Sequence, residues 1–157
     1  MIITALNGQT AEAFDLIMKK EYAMAILQEK KAIEYRDFSN FYLKKFFENP
    51  KDLVPKKINV IHFRDYSGKW FLDVQTTCAA VSYLNEDFIP ILEDYNELGM
   101  IEQCKANRGK KLSETPLVCF LPIVGIINTN LVDLSTLCNN EFTPLLEGIA
   151  PWDFQNN

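Results

Sequence analysis

The sequence predicts a single α+β domain over residues 1–157, and three observations carry that reading. The hydrophobic period changes near residue 32 from about 3.6 residues to about 2, the change from helix to strand. The segment "KINVIHFRDYSGKWFLDVQTTCAAVSYL" (57–84) carries the best strand pattern in the chain. The chain of 157 residues is 48% hydrophobic and 24% charged, with 11 Phe, 6 Tyr and 2 Trp. Those values suit one domain with an ordinary core, and ring side chains suit a pleated, half-buried surface.

Residues 1–13 are ambiguous, with Asn7-Gly8 as a turn signal. "FDLIMK" (14–19) reads either as a short strand or as the start of a longer helix. "EYAMAILQEKK" (21–31) is predicted helical, from its good helix formers and the spacing of Tyr22, Ala25, Ile26 and Glu29. "AIEYRDF" (32–38) alternates, putting Ile33, Tyr35 and Asp37 on one face and Glu34 and Arg36 on the other. Ser39 is placed to cap a helix "NFYLKKFFEN", whose Phe41, Phe46 and Phe47 need a core, and which should stop before Pro50.

"INVIHF" and "WFLDVQ" then form a hairpin about Ser67-Gly68, the second strand running on towards "AAVSYL" and curving. "EDFIPILEDYNELGM" (86–100) is helical in part, with Pro90 in its first turn and Gly99 as a stop. "CKANRGKKLSETP" (104–116) reads as a polar loop. "LVCFLPIVGII" (117–127) reads as one buried strand or two, broken at Pro122 or Gly125. A final apolar cluster, "PLLEGIAPWDF", is expected to pack back on the body.

Net charge is −5, yet residues 1–111 carry 16 bases and 16 acids, and the excess comes from five acids beyond Lys111. That balance argues against a strong non-specific nucleic-acid binder without excluding a basic face on the earlier part. Cys78, Cys104, Cys119 and Cys138 form no CxxC pair and His62 is the single histidine, so free thiols are expected and a zinc site is not. No cofactor is implied, since there is neither a Gly-rich phosphate loop nor the residue set of a catalytic triad. The N-terminus lacks the pattern of a signal peptide, and "PLVCFLPIVGII" is too short to span a bilayer. A cytoplasmic protein with no membrane partner is therefore expected.

"EKKAIEYRD" (29–37) gathers Lys31, Glu34 and Arg36 at the predicted helix–strand junction. On a strand Glu34 and Arg36 point the same way, and Lys31 at the turn could reach the same space. Such a cluster reads either as an exposed salt bridge, worth about 0–1 kcal/mol, or as a site for an anion or a base edge.

"YAMAILQEKKAIEYR" resembles the signature of the ASCH domain, a PUA-like family. Its members open with a strand, then a helix ending in G-x-K-x-x-E-x-R that leads into the next strand. Lys31, Glu34 and Arg36 fall on the motif's lysine, glutamate and arginine, and "DLIMKKEYAMAIL" matches the strand and helix before it. The resemblance is close over residues 15–37, architectural through 57–75, and does not extend beyond 85. It implies a small PUA-like mixed β-barrel with flanking helices, and a cleft for RNA or a nucleoside-like small molecule lined by the three residues.

Glu29 stands where the motif has glycine, which implies a modified or strained turn there. Some relatives are amidohydrolases that remove an acyl group from a modified cytidine, using the lysine, a threonine and a separate glutamate. Here Glu34 takes the threonine's place, and Glu86, Glu93 and Glu97 are all available as the glutamate, so no catalytic residue is assigned.

Lys105, Arg108, Lys110 and Lys111 could track phosphates or simply be solvated. Trp70, with Tyr66 across the hairpin turn, could stack on a base or pack in the core. His62 reads as a hydrogen-bonded structural residue. A third reading, a protein-interaction domain with a vestigial cleft, rests on the acidic tail and surface aromatics, its partner unknown.

Overall fold

The computed structural model describes residues 1–5 and 8–133. The turn residue Asn7, Cys138, the acidic tail beyond Asp133 and the apolar cluster "PLLEGIAPWDF" lie outside the described residues. In chain order the elements are β1 (Ile2–Thr4), β2 (Thr10–Glu12), β3 (Phe14–Ile17), α1 (Lys20–Leu27), β4 (Ile33–Asp37), α2 (Asn40–Phe46) and β5 (Phe47–Asn49). They continue as β6 (Val54–Pro55), β7 (Val60–Arg64), β8 (Phe71–Thr76), β9 (Ala80–Tyr83), α3 (Ile89–Asp94), α4 (Leu98–Ala106) and β10 (Leu117–Thr129). The fold class is mixed α+β, as predicted. The chain divides into two compact units, one of residues 1–28, 57–78 and 123 onward, the other of residues 29–56 and 79–122.

In the first unit β3 runs parallel to β7, β7 antiparallel to β8, and β8 antiparallel to the second half of β10. The expected hairpin is present, and Gly68 in its turn takes φ +74°, a conformation that costs glycine little. "FDLIMK" resolves as a strand over Phe14–Ile17, and before it β1 pairs antiparallel with β2. Val60, Ile61, Phe63, Leu72 and Val74 are fully buried, each contributing about 1.5–3 kcal/mol by leaving water.

This unit also carries a polar row along β3, β7 and β8. His62 Nδ1 pairs with Asp73 Oδ1, and the imidazole stacks on Phe71 with ring centroids 5.7 Å apart. His62 is thus hydrogen-bonded, as expected of a structural histidine. Arg64 holds Asp15 through two contacts of 2.8 and 3.2 Å, joining β7 to β3.

In the second unit the first half of β10 lies between β4 and β9, antiparallel to both. Ile33, Phe88, Leu92, Ile101, Cys104, Val118 and Phe120 form its core, with Tyr35 packed against them. The rings of Phe88 and Phe120 lie 4.9 Å apart. The alternation predicted for β4 is present: Ile33 and Tyr35 join this core and Glu34 and Arg36 take the other face. Cys104 and Cys119 are buried free thiols and Cys78 is a half-buried one.

Several predicted boundaries move. The helix expected over 21–31 ends at Leu27, with Gln28 capping it. Ser39 caps α2 by accepting from the Tyr42 amide, but the helix ends at Phe46, because Phe47 leaves it to pair with Pro55. Phe41, expected in the core, is 67% exposed. Gly99 lies inside α4 rather than ending a helix; the break falls at Asn96, whose φ is +56°. The predicted loop from 104 begins later, since α4 runs on through Lys105 to Ala106.

The strand from β8 stops at Thr76, and β9 is a separate element. β10 runs unbroken through Pro122 and Gly125, with an irregularity between Ile123 and Gly125, and changes partner from β4 to β8 at Pro122–Ile123.

Glu29 takes φ +59°, in the left-handed region, where the motif carries glycine. The strained-turn expectation is met. Glu29→Gly should relieve the Cβ clash and raise stability by about 1 kcal/mol, read as a higher urea midpoint at unchanged slope. An unchanged or lower midpoint would show that Glu29 makes compensating contacts.

Candidate functional site

The candidate site begins at the entry to β4. Two backbone amides, Ala32 N and Ile33 N, donate to Glu97 Oε1 at 2.7 and 2.9 Å. A carboxylate from the residue preceding α4 thus takes both donors at the start of the strand and fixes where β4 begins. Lys31 folds over this turn: its Nζ donates to the Ile33 carbonyl at 2.6 Å and sits 5.1 Å from the centre of the Tyr35 ring. The ammonium thus meets the Tyr35 ring and the Ile33 carbonyl, while its charge still reaches Glu34.

Glu34 is the unusual residue. It is 5% exposed, although glutamate is rarely buried without a partner. Its Oε1 accepts from the Tyr35 amide at 3.1 Å and lies 3.6 Å from Arg36 Nε, an ion-pair distance too long for a good hydrogen bond. Its Oε2 is buried with no hydrogen-bond partner among the described residues. Burial pushes the Glu34 carboxyl above the usual glutamate range; Lys31, Arg36 and the Tyr35 amide oppose that, and Glu97 adds to it.

Arg36 turns its guanidinium onto Tyr42. Nη1 donates to the Tyr42 hydroxyl at 3.0 Å, and the guanidinium carbon lies 5.5 Å from the ring centre. Its side chain is 16% exposed. The arrangement puts a buried acceptor and a planar donor fork side by side on one strand face, a pair of functions complementary to a group that both donates and accepts. On the opposite face the Tyr35 hydroxyl is buried without a hydrogen-bond partner among the described residues. Its ionisation is suppressed, first by burial and then by Glu97, Cys104 and Glu34.

The three available glutamates separate cleanly. Glu97 reaches the β4 entry, Glu86 pairs with Arg108, and Glu93 is exposed. Of the other basic residues, Lys105 pairs with Glu102 at 3.7 Å from the last turn of α4, and Lys110 and Lys111 are exposed. Acids therefore offset two of the four charges considered for phosphate tracking.

Trp70 is only 8% exposed, the packing alternative of its two readings, so it offers no stacking surface; Tyr66 is 87% exposed. Sequence reasoning missed Tyr42. It also missed Glu97's specific role, since that contact joins residues 65 apart in the chain.

No family model, curated protein or solved structure matches the chain. Among the described residues no group of three or more His, Cys, Asp or Glu could hold a metal ion, and no helix is long and apolar enough to cross a membrane.

Proposed function

We propose that the chain is a PUA-like, ASCH-type binding module for RNA or a nucleotide-like ligand, with Glu34, Arg36 and Lys31 as its ligand-binding residues. The observation that supports this most directly is Glu34: 5% exposed, with one carboxylate oxygen unpartnered beside a guanidinium. A chain that needed only a salt bridge would gain more from leaving the pair in water. An amino or imino group of a base would supply the missing donor to Glu34 Oε2, as carboxylates accept from cytosine. Arg36 would contribute donors to a phosphate or base edge, and Lys31 a point charge.

The test is an anisotropy titration of a short single-stranded RNA at low and moderate salt. Arg36→Ala should weaken binding about tenfold, the scale of one lost guanidinium contact, and Lys31→Ala should lower the salt dependence. Circular dichroism confirms that both variants fold. Equal affinity in wild type and both variants would overturn the assignment.

A second reading, hydrolysis of an acylated nucleoside, draws support from Glu97, which stands at the β4 entry next to Lys31. Water would cleave the acyl–nitrogen bond to give a carboxylate and the free amine, with Lys31 and Glu34 handling the proton. Turnover on a panel of acylated nucleosides that Lys31→Ala abolishes would establish it; no turnover would remove it.

A further inference from the structure

Helix α2 places an aromatic and basic face next to Arg36. Leu43 and Phe46 are buried, while Phe41 leaves 67% of its surface in solvent. Phe41 and Tyr42 meet in a T-shaped contact with centroids 5.0 Å apart at 82°, and Tyr42 in turn stacks on Phe46 at 5.7 Å and 12°. The Lys45 ammonium lies 5.8 Å from the centre of the Phe41 ring. Arg36 binds Tyr42 at the other end of this row. The helix carries Lys44 and Lys45 and no acid, with Asp37 and Glu48 exposed beyond its two ends.

From this juxtaposition we infer that Phe41 and Lys45 form a stacking platform for one unpaired base of single-stranded RNA, continuous through Tyr42 with Arg36. The inference rests on the binding function proposed above and extends it to residues outside the β4 motif. An exposed phenylalanine offers a base its ring, and the base offers an apolar face in return; Lys45, whose ammonium lies over one face, is long enough to swing to the adjoining phosphate and leave that face to the base. A duplex keeps its base faces stacked internally, so the partner is a single strand. Tyr42, held by Phe46 and Arg36, supports the Phe41 ring without being the exposed surface itself.

The test compares a labelled oligoadenylate with an abasic oligomer of the same length, by anisotropy at low salt, on wild type, Phe41→Ala, Phe41→Trp and Arg36→Ala. Wild type should bind the oligoadenylate more tightly. Phe41→Ala should lower that affinity about tenfold, within the range for one lost base stack, and leave the abasic oligomer unchanged. Phe41→Trp should retain the wild-type preference.

Since Phe41 is exposed, its variants should melt with the wild type. Phe41→Ala binding both oligomers as wild type does, while Arg36→Ala weakens both, would overturn the platform and leave the β4 site standing. Equal weakening of both oligomers by Phe41→Ala would also overturn stacking. Absence of binding by wild type would overturn the platform and the RNA reading together.

Discussion

Glu97→Ala is expected to lower stability by about 2–4 kcal/mol, a large loss for a residue outside the hydrophobic core. Its Oε1 is the acceptor for Ala32 N at 2.7 Å and Ile33 N at 2.9 Å, and Ile33 is fully buried. Truncation leaves two amides without that acceptor, and bonds to a charged acceptor are the stronger kind. Glu97→Gln keeps an acceptor oxygen and should recover most of the loss.

Urea unfolding measures the energy, and hydrogen exchange at the Ile33 amide reads the site. Both variants should keep the far-ultraviolet spectrum of the wild type, but exchange at Ile33 should rise only in the alanine variant. Wild-type stability and protection in Glu97→Ala would show that other acceptors serve these amides. The consequence for function is positional: the same contact sets the start of β4, and so the placement of Lys31, Glu34 and Arg36.

Local chemistry made much of this architecture legible. The change of hydrophobic period located β4 and its two faces, Ser39 announced the start of α2, and Ser67-Gly68 announced the hairpin. Glu29 takes the left-handed conformation at the end of the turn after α1, one of the two outcomes, a modified or a strained turn, expected there. What escaped was non-local. Phe47 continues a helical pattern in sequence, yet leaves the helix to pair with Pro55.

Gly99 looks like a stop, but Asn96 takes the left-handed conformation first, as asparagine does more readily than other side chains. Pro122 and Gly125 look like breaks, but β10 continues because its partner changes there. At the site, Glu34 and Arg36 were readable as a pair, whereas Glu34's burial is not written in its neighbours. Phe41 stays outside while Phe46 and Phe47 are buried, and a run of phenylalanines has no way of showing which ring that is.

Glu34→Gln should raise stability at neutral pH by about 1–3 kcal/mol, because the amide fills the same buried space without a charge to desolvate. Burial raises the folded-state carboxyl above its ordinary value of 4.5, outweighing the opposing effects of Lys31, Arg36 and the Tyr35 amide. The folded chain therefore holds the Glu34 proton more tightly than the unfolded chain. Glu34's contribution is fully present below about pH 4.5 and is lost as pH rises through the raised folded value.

Wild type and Glu34→Gln should thus be close in stability near pH 4, and the variant should gain as pH rises through the raised folded value. Chemical unfolding at a series of pH values measures the difference. A variant less stable at pH 7 would mean that the two cations more than repay the burial of the charge. A gain in stability accompanied by weaker RNA binding would mark Glu34 as a residue kept for its ligand at the expense of the fold, since a residue serving the fold alone would not lose stability by being charged.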